Sequence, residues 1–148
     1  MSVLNPYIVV GNGLEAIEWY GKAFGAEKLD VAMTPDGGRV MNAQLSINGG
    51  VFMINDEFPE WGGELCPAKS GAKCPMTVHI NSENIDADFE RAVAAGAKVI
   101  MPLENMFWGD RFGQVEDPWG YRWSMGQQIA QPSHEEMMAG AEEAFKQE

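Results

Sequence analysis

The sequence predicts an α+β fold: two βαβββ modules forming a curved, partly closed mixed β-sheet barrel, with helices outside and a C-terminal helical tail. Three observations carry this expectation. Leu14-Glu15-Ala16 followed by Gly25-Ala26 recurs as Ile85-Asp86-Ala87 followed by Gly96-Ala97, an offset of 71. Gly50 before Val51-Phe52-Met53 recurs as Gly120 before Tyr121-Arg122-Trp123, an offset of 70. Turn residues cut each half into one helical stretch among four short β-rich runs. Two copies of one unit imply a pseudo-twofold axis, with a ligand site between the copies.

The first copy spans 3–56. Asn5 to Val10 is a β-rich run closed by Gly11-Asn12-Gly13, and Asn12 is a helix-capping residue. A helix then runs from Leu14 to about Phe24, with Ile17, Tyr20 and Phe24 on one face. Gly25 stops it by supplying the left-handed residue. Strands are expected at 27–34, 39–48 and 50–55, turned by Pro35-Asp36-Gly37-Gly38 and by Asn48-Gly49-Gly50.

Residues 57–75, rich in proline and glycine with Trp61 in the middle, read as a linker. The second copy spans 76–128: a strand over 76–81, a helix over 85–95, and strands near 98–104, 111–117 and 120–126. Ile85, Phe89, Ala92 and Val93 form its buried helix face. Within each copy the sheet is read as antiparallel, with its helix on one face. After Pro132, Ser133 and Glu136 form a capping box that starts a tail helix over 133–147. Residues 1–148 are read as a single domain.

Composition narrows the function. No apolar run approaches the roughly 20 residues that cross a bilayer, and the first residues have neither basic segment nor apolar stretch. Two cysteines, Cys66 and Cys74, are too few for a disulfide framework and indicate a reducing, cytoplasmic setting; a local bridge between them stays open. The net charge is −12. The final sixteen residues hold five acids and one lysine, so −4 lies in the tail and −8 in the body. This balance opposes nucleic-acid binding, which needs clustered Lys and Arg. It serves either solubility or attraction of a cationic small molecule.

Several motifs carry a resemblance. They are Asn5-Pro6-Tyr7, Glu15-Ala16-Ile17-Glu18-Trp19-Tyr20 with Phe24-Gly25-Ala26, and Ala92-Val93-Ala94-Ala95-Gly96-Ala97. Trp108-Gly109-Asp110-Arg111 and Asp117-Pro118-Trp119-Gly120-Tyr121-Arg122-Trp123-Ser124 complete them. Over residues 3–128 the chain resembles the vicinal oxygen chelate superfamily (glyoxalase I, extradiol dioxygenases, fosfomycin and bleomycin resistance proteins), and within it the PhnB-like branch. The resemblance implies paired βαβββ modules and a homodimer. It also implies where metal-dependent members place ligands, on the first and last strands of each module. Carried over, those positions are Asn5, Thr77 (or Met76), Ile54 and Ser124. None is a histidine or carboxylate, so no metal and no cofactor are expected.

Strand alternation then selects the cavity. Asn5, Tyr7 and Val9 are expected to face it from the first strand, Phe52 and Ile54 from the fourth, Thr77 and His79 from the fifth, and Arg122 and Ser124 from the last. Tyr121 and Trp123 are expected on the helix side. His79 is open to three roles: structural histidine, ligand contact or proton carrier, and lone metal ligand. Trp108 and Arg111 are either a stacking surface beside an anion-pairing guanidinium, or a turn lock with Arg111 bonding Asp117 or backbone carbonyls. Asp117-Pro118 with Gly120 reads as a turn without chemistry. No nucleophile elbow, phosphate-cradling loop or spaced carboxylate pair is present. No catalytic residue is assigned; His79 is the one candidate. The expected function is metal-independent binding, by sequestration, of an aromatic or cationic small molecule between the modules. The alternative is a lyase, isomerase or dioxygenase acting through a metal or through His79 on a small oxygenated substrate.

Overall fold

Asn12 begins the first helix as its side chain dictates: its Oδ1 accepts the Glu15 N–H, and α1 (Gly13–Phe24) runs to Gly25, whose φ of 67° ends it. In this computed structural model, which describes residues 3–146, α1 follows β1 (Tyr7–Val10). It precedes β2 (Glu27–Met33), β3 (Val40–Ile47) and β4 (Gly50–Asp56). The second module repeats the order as β5 (Thr77–Asn81), α3 (Ile85–Ala94), β6 (Lys98–Asn105), β7 (Asp110–Glu116) and β8 (Arg122–Gln128). Between them the linker holds a 3-10 turn at Pro59–Trp61 and a single turn of helix, α2 (Pro67–Ser70). The tail helix α4 (His134–Ala144) starts on the expected Ser133/Glu136 capping box; Gln147, expected at its end, lies outside the described residues.

The α+β class with duplicated βαβββ modules is what the chain adopts. Two four-stranded sheets form, ordered β1-β4-β3-β2 and β5-β8-β7-β6, and they do not join into a closed barrel. The sheets are mixed, not antiparallel throughout. β1 runs parallel to β4 and β5 parallel to β8, because α1 or α3 and two further strands intervene and return the chain in the original direction.

The duplication matches with a shift that the sequence motif conceals. Gly49 (φ 85°) and Gly120 (φ 93°) occupy the same left-handed turn position, so Gly50 corresponds to Tyr121 and Phe52 to Trp123. The β7–β8 turn is one residue longer than the β3–β4 turn. A one-residue slip exchanges the two faces of a strand. Phe52 and Ile54 therefore point to the helix side, at 3% and 0% exposure, not into the cavity with Tyr7 and Val9. The same helix-side layer holds Ile8, Val10, Ala43, Leu45, Val115, Trp123 and Met125.

Both helices cover this layer and pack on each other, so the modules share one core. Tyr20 and Phe24 of α1 meet Trp123 at ring-centroid distances of 5.5 and 4.8 Å, and Phe52 meets it at 5.3 Å. Trp19 Nε1 donates to the Ala95 carbonyl at the end of α3 (2.8 Å). Val93, expected on the buried face of α3, is exposed; Ala92 takes the inward position. The linker is fastened by Glu57. Its buried carboxylate accepts the Cys66 N–H and pairs with Lys69 at 2.8 Å.

Candidate functional site

Where the two sheets approach, the pseudo-twofold axis relates two places of unlike content. At one, Tyr121 leaves the β7–β8 turn and reaches β1: its hydroxyl donates to the Val9 carbonyl (2.8 Å) and accepts the Val9 N–H (3.2 Å). Burial pushes this phenol up to about 12. At the other, the counterpart of Tyr121 is Gly50, and the crossing is made by the shorter Asn48 side chain of the preceding turn. A groove of about 350 Å³ opens there instead, between Pro6, Gly50 and Val51 on one side and His79 and Asn81 on the other. Its floor is apolar, built by Phe52, Val78, Ile80 and Trp123. Asn48, in the β3–β4 turn, donates to the Asn81 carbonyl (3.0 Å) at its margin.

The faces away from the helices carry a matched pair of clusters. In the second module His79 Nδ1 lies 2.7 Å from Ser124 Oγ, its register partner across β5 and β8. Its ring lies over Gly126, where a Cβ would sit 3.0 Å from His79 Cε1, and parallel to Phe112 with centroids 6.0 Å apart. Trp108 meets Phe112 edge-on at 5.7 Å, and its Nε1 donates to Asp110. The aromatic shelf thus runs from Trp108 through Phe112 to His79. In the first module the corresponding residues are Tyr7, Asn42 and Met53: Asn42 Nδ2 donates to Tyr7 Oη (3.2 Å) and approaches Met53 Sδ (3.6 Å). Thr77 shares the face of His79. Asn5 donates to the Val51 carbonyl (3.1 Å), at the start of β4.

Four expected site residues stand elsewhere. Phe52 reaches the groove only as part of its floor, from the helix side of the sheet, and Ile54 is enclosed in the core. Arg111 alternates with Phe112 and turns to the helix side, where Nε and Nη2 bind Asp86 Oδ1 and Nη1 binds Asn105 Oδ1. It ties β7 to the first turn of α3; its partner is Asp86, not Asp117. Arg122 lies on the open face but lines a different cavity, beside the linker. Phe112 and Gly126 were not singled out from the sequence. Alternation from Ser124 across the β7–β8 hairpin was the signal that could have located both.

Asp117 does far more than shape a turn. Oδ1 accepts the Trp119 and Tyr121 N–H groups, and Oδ2 accepts the Tyr20 hydroxyl (2.5 Å) and Trp123 Nε1 (2.9 Å). Burial raises its carboxyl above the usual range despite those four donors. Burial and the adjacent Asp117 charge likewise push the Tyr20 phenol well above its ordinary value. Asp117 thus fixes the turn that aims Tyr121 and anchors α1 to the second sheet.

The family model for the Glyoxalase/Bleomycin resistance protein/Dioxygenase superfamily matches residues 3–125. The chain belongs to this superfamily. A similar curated member is the uncharacterized protein Rv0887c of Mycobacterium tuberculosis, 41% identical over 137 residues, which cover 92% of this chain and 80% of that protein. Among solved members, TioX from Micromonospora sp. ML1 superposes with a TM-score of 0.62 at 23% identity, covering 85% of this chain and 99% of its own. The PhnB protein from Bacillus cereus gives 0.61 at 22%, covering 85% and 99%. The fosfomycin resistance protein FosX from Listeria monocytogenes, solved with Mn(II) and sulfate, gives 0.62 at 13%, covering 93% and 95%. At these identities the structures establish the shared fold.

A divalent transition metal of the kind bound by FosX asks for several imidazole or carboxylate donors at about 2 Å. Here the open-face clusters offer His79 and Ser124 on one module and Tyr7, Asn42 and Met53 on the other, and the positions carried over from the resemblance, Asn5, Thr77 (or Met76), Ile54 and Ser124, add no imidazole or carboxylate. Among the described residues, no three His, Cys, Asp or Glu side chains converge. The residues present do not fit such an ion. No helix among the described residues is long and apolar enough to cross a membrane.

Proposed function

We propose that this superfamily member binds and sequesters a small aromatic or cationic molecule, without a metal, in the groove between its modules. The observation that carries the reading is the groove itself. It is an apolar-floored cleft at the low end of ligand-site volumes, opened by Gly50 where the other copy carries Tyr121. In this reading His79 lines the groove, and Tyr7, Thr77, Ser124 and Trp108, with Phe112 added, extend the ligand site over the sheet faces turned away from the helices. Phe112, Trp108 and the His79 ring offer π-faces to a planar or cationic group. The body charge of −8 favours a cation over an anion at this site.

The reading includes a homodimer, whose second copy would cover the exposed Tyr7 and Trp108; sedimentation equilibrium distinguishes it from a monomer. It also includes a cytoplasmic setting, consistent with the two free thiols. A thermal-shift screen of planar aromatic and cationic compounds tests the binding reading. A ligand present at 100 times its Kd stabilises the fold by about 2.7 kcal/mol. The reading predicts at least one saturable hit that survives chelator and disappears in Gly50→Tyr. Hits that all require a divalent ion, or that persist in Gly50→Tyr, overturn it.

One observation favours a second reading. His79 engages Ser124 through Nδ1, and no described residue hydrogen-bonds its Nε2. An imidazole oriented by one hydrogen bond, with the second nitrogen not engaged by a described residue, is arranged to move a proton to or from a small oxygenated substrate. Turnover with a pH–rate profile that flattens in His79→Gln would support it.

A further inference from the structure

Five of the ten basic residues stand in ion pairs: Arg39 with Glu60, Lys69 with Glu57, Arg91 with Asp88, Arg111 with Asp86 and Lys146 with Glu143. Of the other five, three converge on one cavity of about 460 Å³. Lys73 reaches it from the linker, Lys98 from the first residue of β6, and Arg122 from the first residue of β8. None of the three has an ion-pair partner among the described residues. The cavity shares no lining residue with the inter-module groove.

Its walls are held by backbone contacts. Ala68 N–H donates to the Trp119 carbonyl (3.0 Å), which clamps the linker to the β7–β8 turn. Gly120 admits this approach, since a Cβ there would lie 2.8 Å from Ala68 N. Two acids also line the cavity. Asp117 has both oxygens occupied by the four donors described above. Glu116 is the register partner of both Lys98 and Arg122, yet forms an ion pair with neither.

In a chain of net charge −12, three cations without an ion-pair partner share one cavity with a single unengaged carboxylate, Glu116; the cations outnumber it and repel each other, and a bound anion relieves that cost. A guanidinium presents a planar fork matched to two oxygens of one oxyanion, while lysines add mobile point charge. We propose that this cavity is a second binding site, for a compact polyanion bearing phosphoryl or paired carboxylate groups. Arg122 forms the bidentate contact, and Lys73 and Lys98 neutralise the remaining charge. The proposal is independent of what the groove holds.

Cys74 lines the same cavity and is partly accessible, whereas Cys66 is buried. Modification of Cys74 in the full chain by an uncharged disulfide reagent therefore reports occupancy. Inorganic pyrophosphate and citrate are titrated separately at low salt, which distinguishes the phosphoryl from the carboxylate source. Saturable protection by at least one, with a Kd below about 1 mM, is expected, weakening as salt rises. Arg122→Gln should weaken binding by about tenfold or more and Arg122→Lys by less. The combined Lys73→Gln, Lys98→Gln and Arg122→Gln variant should lose protection while keeping its unfolding midpoint. No saturable protection by either anion, or protection retained in the combined variant, overturns the proposal. So does a dimer that dissociates in the combined variant while neither anion protects Cys74, which would assign the cations to a protein interface.

Discussion

Tyr121 and Gly50 stand at corresponding points of the two modules, and the space around them differs as their side chains do. The tyrosine spans to β1 and closes one approach of the sheets; beside the glycine only the shorter Asn48 side chain reaches across, to Asn81, and the groove stays open. The clusters beside them have diverged in the same sense. Tyr7, Asn42 and Met53 form one; His79, Phe112 and Ser124 form the other. Duplication therefore supplies the scaffold twice, while a few exchanged side chains make one approach a lock and the other a cleft.

The strongest way to break this asymmetry is to remove what aims Tyr121. Asp117→Ala leaves four donors without their acceptor, three of them buried, at about 1–3 kcal/mol for each one that water does not reach. A loss of at least about 3 kcal/mol in urea unfolding is expected; a loss under 1 kcal/mol would show that the turn holds without its carboxylate. Filling the cleft is the next test. A Cβ at Gly50 meets only the Ile47 carbonyl, at 3.4 Å, and the groove lies open beyond it, so Gly50→Tyr should fold with a midpoint near wild type. Any groove ligand should bind at least about tenfold more weakly, equivalent to about 1.4 kcal/mol. Tyr121→Phe keeps the ring and deletes the hydroxyl, so Val9 loses a donor and an acceptor. The cost should be about 1–2 kcal/mol, without effect on groove binding.

The smallest effect concerns the linker that joins the modules. Burial raises the Glu57 carboxyl, but Lys69 and the Cys66 N–H outweigh it and leave the group below its ordinary value of 4.5. A carboxyl lowered in the folded state stabilises above that value and loses its contribution as the pH falls through the folded value. The stability gap between wild type and Glu57→Gln should therefore narrow only below about pH 4.5; a gap that is constant from pH 7 to pH 3 contradicts the assignment.

Module order, both long helices and the tail cap were legible because glycines, prolines and capping side chains act locally. Asn12, Gly25 and Ser133 do in the fold what their chemistry predicts. Strand faces were legible only where the register was anchored correctly. Alternation within β8 itself puts Trp123 on the helix side, where it lies. Phe52 and Ile54 fall on the face opposite to the expected one because Gly49, not Gly50, is the counterpart of Gly120, and one residue of turn length reverses a strand's faces. The parallel pairing of β1 with β4 depends on chain return through three intervening elements, which no local pattern encodes. Asp117 read as a turn residue because its partners lie up to 97 positions away, at Tyr20.

The contact between Tyr121 and Val9 has a consequence for solution behaviour. β1 is the outermost strand of its sheet, and an outermost strand offers bare amide and carbonyl groups to any extended chain that drifts past. One phenolic oxygen answers both groups of Val9, imitating the neighbour a further strand would supply. Deleting that oxygen should expose a template for self-association, visible as turbidity on prolonged warming before unfolding is complete.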